Sequence, residues 1–144
     1  SKITRPLKDT VKENILNVSG KGVVNCHMGI LPMYRGMDVI EWPILHGDWN
    51  YIGVTIHFMK RGVDTGDVLK KYHISLSSDE DIKKLRLRFE PIMVEQLVNT
   101  VDDFLNKKIK PKKQIIEDGK QFFVMSKRLV DVAEKKLSNH QNTH

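Results

Sequence analysis

Cysteine is almost missing from this 144-residue chain: Cys26 stands alone. A single thiol excludes an internal disulfide and a cysteine-built structural zinc site, and it suits a reducing, cytoplasmic setting. Long apolar runs are missing as well. None approaches the roughly 20 residues that span a bilayer, and no signal peptide is visible. Aromatics make up only 7% of the chain. Few of them interleave with basic residues, so a base-stacking platform for nucleic acid is not indicated. There is no internal repeat and no low-complexity segment. What remains, 40% hydrophobic and 29% charged, is the composition of an ordinary globular domain with a modest core.

Acidic residues are the scarcer charge, leaving a formal net charge of +6. Much of the excess is Lys107, Lys108, Lys110, Lys112 and Lys113. These follow a predicted helix, where cations complement the negative end of the dipole. The patch reads as a solvated basic face, with attraction of an anionic substrate as the second reading. A nucleic-acid binder, the third, would have to show steeply salt-dependent binding.

The informative stretch runs over residues 25–67. Residues 22–25 form a short apolar run after a glycine and read as a buried strand emptying into a loop. In open α/β sheets ligand chemistry gathers beyond the carboxyl ends of strands, where Asn25 and His27 would fall. One residue separates them, so in extended backbone both side chains share a face and Cys26 points the other way. Gly53-Val54-Thr55-Ile56-His57-Phe58 is a second strand. Gly62-Val63-Asp64-Thr65-Gly66-Asp67 is a glycine-bracketed turn into a third, which places Asp64 on a tight loop with backbone groups available to a ligand.

An amide, an imidazole and a carboxylate so placed suffice for acyl transfer to an amine. Attack on a formyl carbon builds negative charge on oxygen, which the Asn25 amide and a protonated His27 can stabilise. Losing one such donor typically costs roughly 3–4 kcal/mol of transition-state stabilisation. Asp64 near His27 would orient the imidazole, raise its pKa and relay the amine's proton.

Asn25-x-His27, Leu31-Pro32-Met33-Tyr34-Arg35-Gly36, Gly53-Val54-Thr55-Ile56-His57-Phe58 and Gly62-Val63-Asp64-Thr65-Gly66-Asp67 together resemble the folate-dependent formyltransferases, which include glycinamide ribonucleotide, methionyl-tRNA and sugar N-formyltransferases. The resemblance covers about the first half of the chain. It implies a Rossmann-like α/β formyltransferase fold, 10-formyltetrahydrofolate as formyl donor and a primary amine of a small molecule as acceptor. It implies Asn25, His27 and Asp64 as the catalytic trio, and Arg61, Gly62, Val63 and Asp64 as the loop that holds the pterin edge. Two departures stand out. Met28-Gly29 follows His27 where the family usually has proline, which changes loop stiffness rather than chemistry. The family's first βα units have no counterpart here, so the resemblance implies the later portion of a larger protein. Residues 1–7 resemble the end of a preceding strand and 8–16 the helix after it. A sheet edge left by missing strands would favour a complementary N-terminal half or a homo-oligomer.

Two regions are expected, a catalytic core over 1–110 and an appendage over 111–144. Residues 38–45 read as a short helix carrying Val39, Ile40, Trp42 and Ile44 inward, with Pro43 keeping it brief. Residues 70–75 continue the third strand. Ser77 with Glu80 is a capping-box signature. From Asp79 a long helix buries Ile82, Leu85, Phe89, Ile92, Leu97, Val101, Phe104 and Leu105, bent at Pro91. Residues 114–116 and 121–125 flank the turn 117–120 and predict a hairpin. A last helix over 127–137 turns Leu129, Val130, Val132, Ala133 and Leu137 to one side, and residues 138–144 read as a frayed polar tail. The appendage is too short for the carboxy-terminal β-barrel of the tRNA formyltransferases, which favours a small-molecule amine, an amino sugar nucleotide ahead of glycinamide ribonucleotide.

Each residue also has a bland reading. Asn25 alone is a strand-ending residue, His27 a loop histidine and Asp64 a turn former; the combination favours catalysis. His57, alternating with apolar neighbours, reads as a buried, satisfied histidine, with support of a neighbouring site residue as the second reading, and Thr55 shares both readings. Arg35 and Gly36 either shape their loop or contact an anionic acceptor. His140 and His144 lack the acidic or thiol company of a metal site. A hydrolase using water as acceptor and a catalytically silent domain of the same fold are the alternatives to formyl transfer.

Overall fold

The computed structural model describes residues 15–143. In chain order the elements are β1 (Ile15–Val18), β2 (Gly22–Met28), β3 (Tyr34–Gly36), α1 (Glu41–His46), β4 (Gly53–Phe58), β5 (Val68–His73), α2 (Ile82–Leu105), β6 (Lys120–Phe122) and α3 (Lys127–Thr143). One sheet has the order β1-β2-β4-β5, and every pairing in it is antiparallel. This mixed α/β architecture has one consequence for the strand-end expectation. β2 does not empty into a loop at Asn25 but runs on to Met28, so Asn25 and His27 sit within a paired strand. Residues 15 and 16, expected at the end of a helix, belong to β1 instead; the strand and helix expected over 1–14 lie outside the described residues.

Alternation gives the sheet two chemically distinct faces. Val24, Cys26, Val54 and Ile56 turn to one side and are fully buried. There they meet α2, whose Leu85, Phe89, Met93, Leu97 and Val101 recur every four or so residues. Burial in this apolar layer pushes the Cys26 thiol up to about 12. Asn25, His27, Thr55 and His57 face the other way, in the register Asn25 opposite His57 and His27 opposite Thr55.

α2 starts later than its capping-box signature suggests. Ser77 N–H does donate to Glu80 Oε1 at 3.1 Å. Glu80, however, also pairs with Arg88 at 2.7 Å, and the working cap is Asp81, whose carboxylate accepts from the Lys84 N–H at 2.7 Å. Pro91 lies inside a helix that continues to Leu105. α1 likewise begins at Glu41 rather than Asp38, because Asp38 takes a φ of +53° and uses its carboxylate to accept from Met125 N–H. Val39, Ile40 and Ile44 are buried as expected, while Trp42 is half-buried. Arg86 joins α2 to α1 through Glu41 at 2.7 Å.

The C-terminal stretch departs most from expectation. No hairpin forms over residues 114–125. Residues 116–118 make a single 3₁₀ turn, and β6 pairs in parallel with β3. Phe122 stacks on Tyr34 with ring centroids 5.0 Å apart, a contact available only in that pairing. Gly36 is required there: it has φ +99°, and a Cβ would stand 2.2 Å from the Phe122 carbonyl oxygen. α3 runs six residues beyond 137, since its polar end is tied down. His140 stacks on Trp49 at 3.8 Å, and Gln141 donates to the Ser77 carbonyl at 2.6 Å. Ala133 and Leu137 are its buried residues, whereas Leu129 and Val132 stay exposed. Among the described residues no helix is long and apolar enough to cross a membrane.

Phe89→Ala should remove about 3–5 kcal/mol of stability by opening a cavity under the sheet. Alkylation of Cys26, which needs the buried thiol to open to solvent, measures it: the variant should label faster in proportion to its lost stability, and an unchanged labelling rate contradicts the packing described.

Candidate active site

The polar face of the β2–β4 pair forms the floor of the site. Asn25 Nδ2 donates to His57 Nε2 at 3.1 Å, and His57 Nδ1 donates to the Phe58 carbonyl at 2.9 Å. A carbonyl only accepts, so His57 carries its proton on Nδ1 and accepts at Nε2. The same reasoning fixes His27, whose Nε2 donates to the Tyr34 carbonyl at 2.9 Å, leaving Nδ1 as the acceptor edge. A register irregularity between Ile56 and His57 sits at this point of β4, the kind of local bulge that re-aims a side chain. Thr55, opposite His27, donates to the Gly29 carbonyl at 2.7 Å and accepts from Leu31 N–H at 3.1 Å. It therefore fastens the loop that leaves β2.

The Asp64 loop closes over this floor. Asp64 has φ +56°. Its Oδ2 accepts from Gly36 N–H at 2.9 Å and lies 3.5 Å from His27 Nδ1, while its Oδ1 lies 3.8 Å from His57 Nε2. One carboxylate thus stands between two imidazoles whose rings are 6.2 Å apart. Both rings are buried, at 7% and 3% exposure, and Asp64 is partly open at 18%. A cleft of about 170 Å³ opens beside them, lined in part by Asn25, His57, Gly62, Val63 and Asp64.

The predicted trio is therefore brought together: Asn25 and His27 share a face, and Asp64 reaches His27. His57 lies beside them, buried and with both ring nitrogens engaged. It lines the cleft and fixes the Asn25 amide; only the β2–β4 register places it opposite Asn25. Of the loop residues assigned to the donor, Gly62 and Val63 line the cleft, while Arg61 offers its carbonyl to the Thr65 hydroxyl at 2.8 Å. Gly36 contacts Asp64 itself. Arg35 does not line the cleft; it is 9% exposed with Nη1 donating to the Ile116 carbonyl at 3.5 Å. Gln114 was not a candidate, yet it donates to the carbonyls of Asp64 and Gly66 at 2.9 and 2.7 Å. No local pattern could have marked it. Among the described residues no group of His, Cys, Asp and Glu could hold a metal ion.

Burial holds both histidines below the ordinary imidazole range. For His27 the Asp64 charge and the Tyr34 carbonyl oppose that effect without reversing it. For His57 the Phe58 carbonyl and Asp64 oppose it, and His27 adds to it. With neutral His27, Nδ1 and the Asp64 oxygen at 3.5 Å are both acceptors, so the pair is arranged to take up one proton. A proton placed between them would be stabilised by the carboxylate.

The sign of the pH dependence follows. Each folded-state pKa is depressed, so the unfolded chain binds protons first as pH falls below its ordinary value of about 6.5. The stability contribution is complete above that value and is lost as pH falls toward the folded-state values. His57→Gln should flatten this acid slope. Urea midpoints measured from about pH 7.5 down to pH 5 test it, and an unaltered slope would contradict a neutral, buried His57.

Comparison with known proteins places the chain in a family and a fold. A family model described as "Formyl transferase" matches residues 10–101. The methionyl-tRNA formyltransferase of Caldanaerobacter subterraneus subsp. tengcongensis is 32% identical over 117 residues, covering 81% of this chain and 38% of that protein. The methionyl-tRNA formyltransferase of Citrifermentans bemidjiense is 36% identical over 100 residues, 69% of this chain and 31% of that protein. The chain spans about a third of the length of these relatives, 38% of one and 31% of the other. Among solved structures, the N-formyltransferase from Helicobacter canadensis in complex with folinic acid and dTDP-3-aminofucose superposes with a TM-score of 0.63 at 18% identity, covering 78% of this chain and 46% of that one. The formyltransferase PseJ from Anoxybacillus kamchatkensis, in complex with UDP-4,6-dideoxy-4-formamido-L-AltNAc and tetrahydrofolate, gives 0.61 at 22% identity, covering 70% and 52%. At these identities the structural likeness is one of fold, but the family match spans β2, β4 and the Asp64 turn: the chain belongs to the formyltransferase family.

Proposed function

We propose that the whole protein moves a formyl group from 10-formyltetrahydrofolate to a primary amine on a small molecule, with an amino sugar nucleotide preferred over glycinamide ribonucleotide. The observation that carries this reading is the Asp64 carboxylate held 3.5 Å from His27 and 3.8 Å from His57 beside the Asn25 amide. The sugar preference draws on the sugar nucleotides named with the similarly folded enzymes. A cytoplasmic setting, and a complementary N-terminal half or a second copy at the sheet edge, belong to the same reading.

The residues present suit part of the donor. The exposed 60–63 backbone and the cleft of about 170 Å³ would accept one edge of a flat heteroaromatic ring rather than the whole molecule. Gly62, Val63 and Asp64 would hold that edge, with Arg61 shaping the turn. When bound, 10-formyltetrahydrofolate supplies the formyl carbon and departs as tetrahydrofolate. Asn25, oriented by His57, donates toward the carbonyl oxygen as it gains charge. An amine loses one proton as its nitrogen bonds to that carbon, and the His27–Asp64 pair has room for one. The pair returns that proton to the departing nitrogen, so the protein is left unchanged. His27 Nε2 is committed to the Tyr34 carbonyl, which favours proton handling for His27; donation to the oxyanion would need that bond to open. Arg35 and Gly36 would border the acceptor, Gly36 through its hold on Asp64.

Kinetics test the reading. In the full-length protein, His27→Asn and Asp64→Asn should each lower turnover by roughly 10²–10⁴-fold, followed as tetrahydrofolate release with dTDP- and UDP-linked amino sugars, glycinamide ribonucleotide and methionyl-tRNA in parallel. Near wild-type rates in both variants defeat the assignment. Formate release without any amine would make the reaction a hydrolysis, and turnover with methionyl-tRNA alone would overturn the small-molecule acceptor.

A further inference from the structure

We infer that Gln114 is a positioning residue for the acyl-transfer site, its side-chain amide locking the Asp64 turn and thereby setting where the Asp64 carboxylate stands against His27. The inference rests on the catalytic reading of Asp64 given above, and it concerns a residue beyond the 10–101 stretch that matches the family.

The turn does not hold itself. Asp64 has φ +56°, a conformation that residues other than glycine rarely adopt, and such conformations persist only where the surroundings over-determine them. Arg61, Gly62 and Val63 on its leading side are exposed, and the bond from Thr65 Oγ1 to the Arg61 carbonyl is exposed too. Part-buried support comes from 50 residues away. Gln114 Nε2 carries two N–H donors and sends one to each of the Asp64 and Gly66 carbonyls, at 2.9 and 2.7 Å. Flipping the amide would set its oxygen against two carbonyl oxygens, so the chemistry fixes the orientation. That orientation leaves Gln114 Oε1 buried without a hydrogen-bond partner. An unpaired buried acceptor is costly, and the two donated bonds are what the side chain gains in exchange.

Backbone geometry delivers Gln114 to this point. Lys112 and Val68 exchange both of their N–H···O bonds at 2.8 Å. This anchors the 112–114 segment alongside the start of β5, immediately after the Asp64 turn. Six residues later the same segment becomes β6 and pairs with β3. β3 in turn supplies the Tyr34 carbonyl to His27 and the Gly36 N–H to the Asp64 carboxylate. One strap therefore holds the backbone of Asp64 directly and both members of the His27–Asp64 pair through β3. At 3.5 Å the pair stands just outside hydrogen-bond contact, where a small displacement of the turn decides whether a proton can pass.

A double-mutant cycle in the full-length protein separates positioning from bulk support. Gln114→Met keeps the length and removes the donors; Gln114→Lys restores donors at similar reach. Two readouts are followed: the His27 imidazole titration by NMR without substrate, and tetrahydrofolate release from 10-formyltetrahydrofolate with a dTDP-linked amino sugar. His27 faces Asp64 and His57, so removing the Asp64 charge should lower its titration midpoint. Gln114→Met should move that midpoint in the direction of Asp64→Asn, lower kcat about tenfold or more, and add nothing further to either readout in the Asp64→Asn background. Gln114→Lys should recover most of the lost turnover, while its added positive charge lowers the His27 midpoint on its own. Equal losses from Gln114→Met in the two backgrounds, or Gln114→Lys losing as much turnover as Gln114→Met, would overturn the inference. Wild-type turnover in Asp64→Asn, with Gln114→Met still shifting the His27 midpoint, would instead overturn the catalytic reading and leave the positioning of Asp64 standing.

Discussion

A carboxylate placed between two buried imidazoles is the constraint from which the rest of this structure takes its meaning. Asp64 reaches His27 with one oxygen and His57 with the other, at 3.5 and 3.8 Å. Burial makes neutral imidazole the favoured form of both rings. Neither ring then has an N–H to offer the carboxylate, since His27 spends its proton on the Tyr34 carbonyl and His57 on that of Phe58. The three groups form an arrangement short of one proton. In both rings the neutral form is the one the fold favours, so a proton taken up there is resisted by burial and held only by the Asp64 charge.

The fold builds this from an antiparallel strand pair with two unlike faces. α2 covers the apolar face with Leu85, Phe89 and Leu97, all fully buried, so the strands cannot slip by one residue without turning Asn25 and His27 into that apolar layer. Register on the hidden side thereby fixes geometry on the polar side. The loops over the polar face are fastened one by one: Thr55 holds the segment after β2, Gly36 holds the Asp64 carboxylate, and Gln114 holds its carbonyl. Strands supply precision for Asn25, His27 and His57, while the group that must approach them rides on a turn.

Legibility in sequence followed the range of the forces involved. Asn25 and His27 could be placed on one face because a period of two is a local property of extended chain, and that placement survives even though β2 is antiparallel and continues past them. Asp64 could be read as a turn residue from its flanking glycines. The bond between His57 and Asn25 could not be read, because it depends on which strand lies opposite Asn25. The segment over 114–125 looked like a hairpin because Asp118-Gly119 between apolar runs is a local turn signal. Stacking of Phe122 on Tyr34 and parallel pairing with β3 outweighed it. The polar end of α3 failed as a predicted tail for the same reason: a ring stack between His140 and Trp49 has no signature in either local sequence.

The strap formed by residues 112–122 bears on how this family member divides its labour. The portion that matches the family supplies the strand pair, the Asp64 turn and most of α2, and it ends before the strap begins. Yet the β3 strand, only three residues long, has its sheet partner in β6. A three-residue strand without a partner would leave the Tyr34 carbonyl and Gly36 N–H on a loop free to move, and loops move most where they carry few buried contacts. Aromatic packing resists that. Tyr34 stacks on Phe122, donates its hydroxyl to Asp48 and accepts from His46, so the residue whose carbonyl orients His27 is held by its own side chain from the opposite side. The His27–Asp64 pair is thus framed by contacts made on the far side of β3, and the geometry of the cleft depends on packing that never touches it.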